Sequence, residues 1–175
     1  MNTLRRNLLS AVILTSLTSM TLFSRPSEAR DLQGRLGLGY NSEFANSTAF
    51  SRVPGVSVKY GLTRDIAFEG IVGLATTSPS NSVTAVKFFK NLFYETNLNF
   101  YFMMGGGILS STTPAGAAAS GAQFLGGFGT EFFIPGIESL GFAVETGASF
   151  DNLSGSFALR TLGVSFLDAG IHFYF

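Results

Sequence analysis

Residues 167–175 read Leu-Asp-Ala-Gly-Ile-His-Phe-Tyr-Phe. Leu167, Ala169, Ile171, Phe173 and Phe175 share one parity, while Asp168, Gly170, His172 and Tyr174 share the other. Period-two alternation is the pattern of a strand with one apolar face. The same sorting recurs back along the chain. Leu32, Gly34, Leu36, Leu38 and Tyr40 oppose Gln33, Arg35, Gly37 and Gly39. Val56, Val58 and Tyr60 oppose Ser57 and Lys59, and Ile66, Phe68, Gly70, Val72 and Leu74 oppose Ala67, Glu69, Ile71 and Gly73. A shorter stretch sets Val86 and Phe88 against Lys87. Then Leu98, Phe100, Phe102, Met104 and Ile108 oppose Asn99, Tyr101, Gly105 and Gly107. Phe124, Phe128 and Phe132 oppose Gln123, Gly127, Gly129 and Glu131. Leu140, Phe142, Val144, Ala148 and Phe150 oppose Gly141, Glu145, Gly147 and Ser149. With the C-terminal stretch these make eight segments.

The parity decides what kind of β protein this is. Eleven Phe lie on the apolar side, at 68, 88, 100, 102, 124, 128, 132, 142, 150, 173 and 175. Arg35, Lys59, Glu69, Lys87, Glu131, Glu145, Asp168 and His172 all lie on the opposite side. A soluble ligand-binding barrel keeps its apolar side chains inside. Here the second face is charged, small and Gly-rich, as in the lumen of a membrane barrel whose Phe face lipid. A lipid-facing charge costs roughly 2–4 kcal/mol at the bilayer midplane, so the sorting carries weight. The expected fold is all-β: an eight-stranded antiparallel up-and-down transmembrane β-barrel.

Composition agrees. Of 175 residues 46% are hydrophobic and 13% charged, against roughly 25% charged in an ordinary soluble domain. There are 21 Gly, 19 Phe, no Trp, no Cys and one His. Disulfides, thiolate metal sites and Cys nucleophiles are excluded, and a single His argues against a His-built metal centre. The net charge of zero gives no basic field for nucleic acid. After residue 30 no run is long and apolar enough for a membrane helix.

The N-terminus reads as an address. Arg5 and Arg6 precede an apolar run from Leu8 to Phe23, and Ser27-Glu28-Ala29 places small residues at a cleavage site. This is the pattern of a secretory signal peptide spanning residues 1–29, leaving 30–175 as the barrel domain. The run is too short and polar for a membrane anchor. Loss of Arg5, Arg6, Arg25 and Glu28 leaves a formal charge of −2. Short links around 61–65, 90–96 and 134–139 alternate with longer polar ones at 41–52, 76–82, 110–121 and 151–160. Short periplasmic turns and long external loops are the outer-membrane arrangement, which puts both termini in the periplasm.

From Asp31 to Phe175 the chain resembles the small eight-stranded outer-membrane barrels of the OmpA/OmpX-like and OmpW-like group. The resemblance rests on the C-terminal alternation ending in Phe, on Asn97–Phe102 followed by Gly105–Gly107, and on Glu131–Gly136. It implies that Leu167, Ala169, Ile171, Phe173 and Phe175 form the signal read by the barrel-assembly machinery. It further implies periplasmic chaperones during biogenesis, outer-membrane lipid as the surroundings, a monomer, and no cofactor or metal. Nothing follows the barrel that would match the peptidoglycan-binding domain of full-length OmpA. Tyr40 and Tyr60 stand where girdle Trp residues are common.

An eight-stranded barrel is just wide enough for side chains to fill it. The eight inward charges are therefore expected to pair as an ionic plug, because isolated buried charge is costly. If Tyr60 faces Ile66, Glu69 is a diagonal neighbour of Lys59, and the strand of Asp168 and His172 closes against that of Arg35. A gated ion path is the functional alternative. The inward Gly37, Gly39, Gly73, Gly105, Gly107 and Gly147 leave two readings open: a water-filled vestibule, or room for strand bending. The function expected is a structural or envelope-related, loop-contact role without enzyme activity; the alternative is a narrow channel for ions or small solutes. A lipid-modifying hydrolase needs a Ser beside His172 and an orienting acid, and no Ser adjoins His172 in sequence.

Overall fold

The computed structural model describes residues 31–42, 55–76, 80–112, 116–162 and 167–175. The expected signal peptide lies outside these residues. The strands are β1 (Leu36–Asn41), β2 (Gly55–Gly61), β3 (Ile66–Ala75), β4 (Asn81–Glu95) and β5 (Leu98–Thr112), followed by β6 (Ala118–Ile134), β7 (Ile137–Leu153), β8 (Ser156–Thr161) and β9 (Asp168–Tyr174). β1 to β7 pair consecutively and antiparallel, and β9 pairs with both β7 and β1, which closes the wall. β8 and β9 share the eighth position. β8 covers the upper part of β7 from Ala148 to Leu153, and β9 covers the lower part from Leu140 to Glu145. The result is a closed eight-position up-and-down barrel. Below, the end holding Leu32 and Phe175 is called the base, and the end holding the β7–β8 turn the rim.

The strand register fixes the barrel's shape. Directly opposed residues lead from Leu38 through Val58, Gly70, Val86, Gly106 and Phe124 to Phe150 on β7. In the other direction Leu38 leads through Phe173 to Leu140 on that same strand. The two paths meet β7 ten residues apart, at 150 and 140. With a rise of about 3.3 Å per residue and about 4.8 Å between strands, that offset tilts the strands by about 40°.

Turn chemistry matches the chain's punctuation. Ser154 and Gly155 both have positive φ, 48° and 82°, as a two-residue hairpin with primed geometry requires. Asn97 sits at φ 58° in the β4–β5 turn, a conformation its short amide side chain tolerates. At the base, the β2–β3 turn docks on β4: the Tyr94 hydroxyl donates to Asp65 Oδ1 at 2.6 Å and lies equally close to Arg64 O, and Lys90 reaches Asp65 at 3.0 Å. The Tyr94 hydrogen bond and the Lys90 ammonium hold the Asp65 carboxyl below its usual value of 3.8.

Several expectations need correction. The weak fourth segment is a strand of fifteen residues. Most of the expected loop at 110–121 continues β5 and β6, and the expected loop at 151–160 is the end of β7, a tight turn and β8. Small residues carry little hydrophobic signal, but an opposing strand supplies their ladder. Leu32 does not face outward. A turn at Gly34, with Arg35 N donating to Leu32 O at 3.0 Å, breaks the alternation and buries Leu32 against Phe133 and Tyr174. Tyr60 opposes Phe68 rather than Ile66, so Lys59 lies directly across from Glu69.

Candidate functional site

The lumen is the candidate site. Each inward charge sits there because alternate strand positions point to one face. Lys59, Glu69, Lys87, Glu131, Glu145, Asp168 and His172 are all at most 3% exposed. Lys87 Nζ is the hub of one group: it donates to Glu145 Oε2 at 2.7 Å and to Asn41 Oδ1 at 3.0 Å, with Asp168 Oδ2 at 3.8 Å. The Tyr101 hydroxyl donates to the other oxygen of Glu145 at 2.9 Å, and the Ser42 hydroxyl donates to Asp168.

A second group lies towards the base. Lys59 Nζ donates to Glu131 Oε2 at 2.8 Å and stands over the ring of Phe89, 4.4 Å from its centroid. The Tyr174 hydroxyl donates to Glu131 Oε1 at 2.6 Å. His172 Nε2 is 3.0 Å from Glu69 Oε1 and 2.8 Å from Ser57 Oγ, and its Nδ1 faces Glu131 Oε1 at 3.9 Å. Arg35 stands apart, donating to the carbonyl of Tyr174 at 3.2 Å near the base. Lys59 faces Glu69 across the ladder, yet its ammonium crosses the lumen to Glu131. Reach across the interior, not ladder register, chooses the partner.

Gly39, Gly105, Gly129 and Gly147 are covered by neighbours rather than left open. Gly39 lies between Ser57 and His172 in the ladder, and those two side chains meet across it. Gly129 lies between Tyr101 and Glu145 in the same way, and a Cβ there would stand 2.7 Å from the Tyr101 ring. Gly105 is covered by Lys87 and Leu125, and Gly147 by Leu162. Beyond the ionic groups Ile71, Val83, Met103, Leu109, Leu125 and Leu162 pack in one apolar cluster with Phe89 and Tyr101, and nearer the rim Asn81, Ser111, Gln123, Ser149 and Asp151 are buried as well. Of the two readings of these glycines, close approach of neighbouring strands and side chains fits Gly39, Gly105 and Gly147. The inward apolar positions of β4, β5 and β6 fill the space, and Leu162 adds to them where the chain leaves β8 and turns inward.

The structure also brings together Ser57, His172 and Glu69, which the spacing in sequence hides. Their geometry is not that of a hydrolase. Ser57 and Glu69 share Nε2, and Glu131, the carboxylate facing Nδ1, stands 3.9 Å away, beyond the hydrogen bond that a relay needs. All three are at most 1% exposed, so no substrate reaches the hydroxyl. Among the described residues no group of three or more His, Asp or Glu is placed to hold a metal ion.

The outer surface carries the opposite chemistry. Phe68, Phe124, Phe128, Phe132, Phe150 and Phe173 are between 39% and 64% exposed, and among the described strand residues the charged side chains Lys90 and Glu138 on that parity lie at the base ends of β4 and β7. Burying charge inside and exposing Phe outside suits hydrocarbon surroundings and would promote aggregation in water. No protein-family model and no curated protein matches the sequence. Among solved structures the chain is similar to the crystal structure of the N-terminal β-barrel domain of Pseudomonas aeruginosa OprF. The TM-score is 0.57 at 17% identity, covering 82% of this chain and 98% of that one. The chain has the fold of the small OmpA-like barrels. At that identity the likeness speaks for the fold alone.

Proposed function

We propose that the protein is an integral outer-membrane barrel with a structural or envelope-related role, monomeric and non-enzymatic, with its rim loops available for contacts. The observation that carries this reading is the filled lumen. Lys87, Met103, Leu109 and Leu162 have no exposed surface, and Tyr101 and Phe89 retain 1% and 2%. An ionic layer and an apolar layer in series oppose free flow of both ions and apolar solutes. Among the described residues the hydroxyl beside His172, that of Ser57, is fully buried, which speaks against the hydrolase reading. The first and last described residues lie together at the base, the end of the short β2–β3, β4–β5 and β6–β7 turns, which supports a periplasmic position for both termini.

The test is single-channel recording on the refolded barrel in a planar bilayer, with a heat-modifiable gel band as proof of folding. The expected result is no steady conductance. Discrete openings that change on neutralising Glu145 or Asp168 would overturn the closed reading in favour of a narrow channel.

Leu167, Ala169, Ile171, Phe173 and Phe175 all point outward, which suits a signal read by the assembly machinery before the strand is zipped into the wall. Removing Phe175 is expected to lower the assembled fraction in cells several-fold and to leave refolding in vitro unchanged. A matching loss in vitro would assign the residue to stability instead.

A further inference from the structure

We propose that the barrel's outer surface holds one hydrocarbon chain of a bilayer lipid in a groove at the β7–β9–β1 seam. The inference rests on the reading that the barrel spans a bilayer. The groove encloses about 270 Å³. Its origin is a step in side-chain size. Phe142, Ile171 and Tyr40 are directly opposed on the three strands and form a row of large outward side chains. Two residues nearer the rim the corresponding row is Val144, Ala169 and Ser42, with the Ser42 hydroxyl 3.4 Å from Ala169 O. The drop from ring and branched chain to methyl and hydroxymethyl leaves a trough with Ala169 as its floor and Tyr40, Phe142 and Ile171 as its wall.

The chemistry of the trough selects its occupant. It opens onto the apolar exterior, where Tyr40 is 54% and Ile171 36% exposed, so its contents come from the surrounding medium. Its lining is almost wholly apolar. The two polar residues at its end are already engaged: the Ser42 hydroxyl donates to Asp168, and Asn41 Oδ1 accepts from Lys87 at 3.0 Å. For a head group the trough offers only the Tyr40 hydroxyl on its wall, a single polar atom at the edge of an apolar lining. A flexible methylene chain fills an irregular apolar trough and restores the dispersion contacts that a void forfeits. The groove therefore takes the chain of a lipid and leaves the head group to the membrane surface.

The experiment reconstitutes the refolded protein into phosphatidylcholine vesicles, extracts it in mild detergent and counts retained lipid by native mass spectrometry. The parent is expected to keep one phosphatidylcholine per barrel. Ala169→Phe, which fills the trough from the lipid side, is expected to reduce retention at least five-fold while the heat-modifiable band persists. Ala169→Leu is the milder filler if the first variant does not fold. Ala148→Phe, on the outer face of β7 and outside the trough, should retain lipid like the parent. Equal retention in parent and Ala169 variants, equal loss in Ala169→Phe and Ala148→Phe, or a parent that floats with vesicles yet retains no lipid would each overturn the proposal. A protein that does not float with the vesicles at all would instead overturn the bilayer reading beneath it.

Discussion

Replacing Lys87 with Met is expected to remove about 3–5 kcal/mol of folding stability, the range for stripping one partner from a buried ion pair. Lys87 is the cation between two carboxylates on directly opposed residues, Glu145 of β7 and Asp168 of β9. Without it both face the interior with no ammonium between them, and the Tyr101 and Ser42 hydrogen bonds cannot neutralise them. Met fills most of the lost volume, so the loss reads electrostatics rather than a cavity. The check is urea-induced unfolding in lipid vesicles. Adding Glu145→Gln to the variant should restore part of the loss, because the remaining carboxylate then faces a neutral amide. A loss below about 1 kcal/mol, the size of an exposed pair, would mean that the lumen is wet enough to solvate both charges.

The second large effect is expected at Gly127. A Cβ there would stand 2.1 Å from Thr146 O and 2.9 Å from the Gly147 Cα, both backbone atoms of the neighbouring strand. Gly127 and Gly147 are directly opposed inward residues, and Leu162 packs over Gly147. Gly127→Val therefore has to push β6 and β7 apart, and a loss of about 4 kcal/mol or more is expected, enough to prevent the folded band from forming. Gly126→Val is the control. It points outward, and a Cβ there would have its nearest neighbour at 3.8 Å. The pair of variants, one residue apart, separates a steric requirement of the interior from the general cost of β-branching. A folded Gly127→Val barrel would contradict the close approach.

The outcome at these positions shows what could be read from the chain. Parity placed Lys59, Glu69, Lys87, Glu131, Glu145, Asp168 and His172 on the buried face, because period two is a property of the strand itself. Partner choice was not legible. Lys59 lies opposite Glu69 in the ladder but binds Glu131, seventy-two residues away in sequence, since contacts across a barrel depend on its width and stagger. Ser57 was visibly inward, yet its meeting with His172 depends on Gly39 standing between them, which needs the register of two seams at once. β8 left a signal that could have found it: Ser154-Gly155 is a tight-turn pair, and Phe157 and Leu159 alternate after it. The eighth position was assigned instead to the stronger alternation of residues 167–175. The inward Val83, Met103, Leu109 and Leu125 shared the parity of the charges. An apolar side chain reads alike whether it fills a lumen or faces lipid, so alternation alone does not reveal this second layer.

The most direct test of the account is the polarity of the wall. The chain has no Cys, so single Cys replacements at Phe124, Phe128, Phe132, Phe142, Val144 and Phe150 can each carry one spin label in vesicles. Collision rates with oxygen, which concentrates in hydrocarbon, and with a charged aqueous relaxant then report the surroundings of each label. A barrel with lipid outside and a filled lumen predicts high oxygen and low aqueous accessibility at all six positions, with oxygen access greatest midway along β6 and β7. Labels at Phe128 and Val144 that meet the aqueous relaxant as freely as a soluble-protein surface would contradict it.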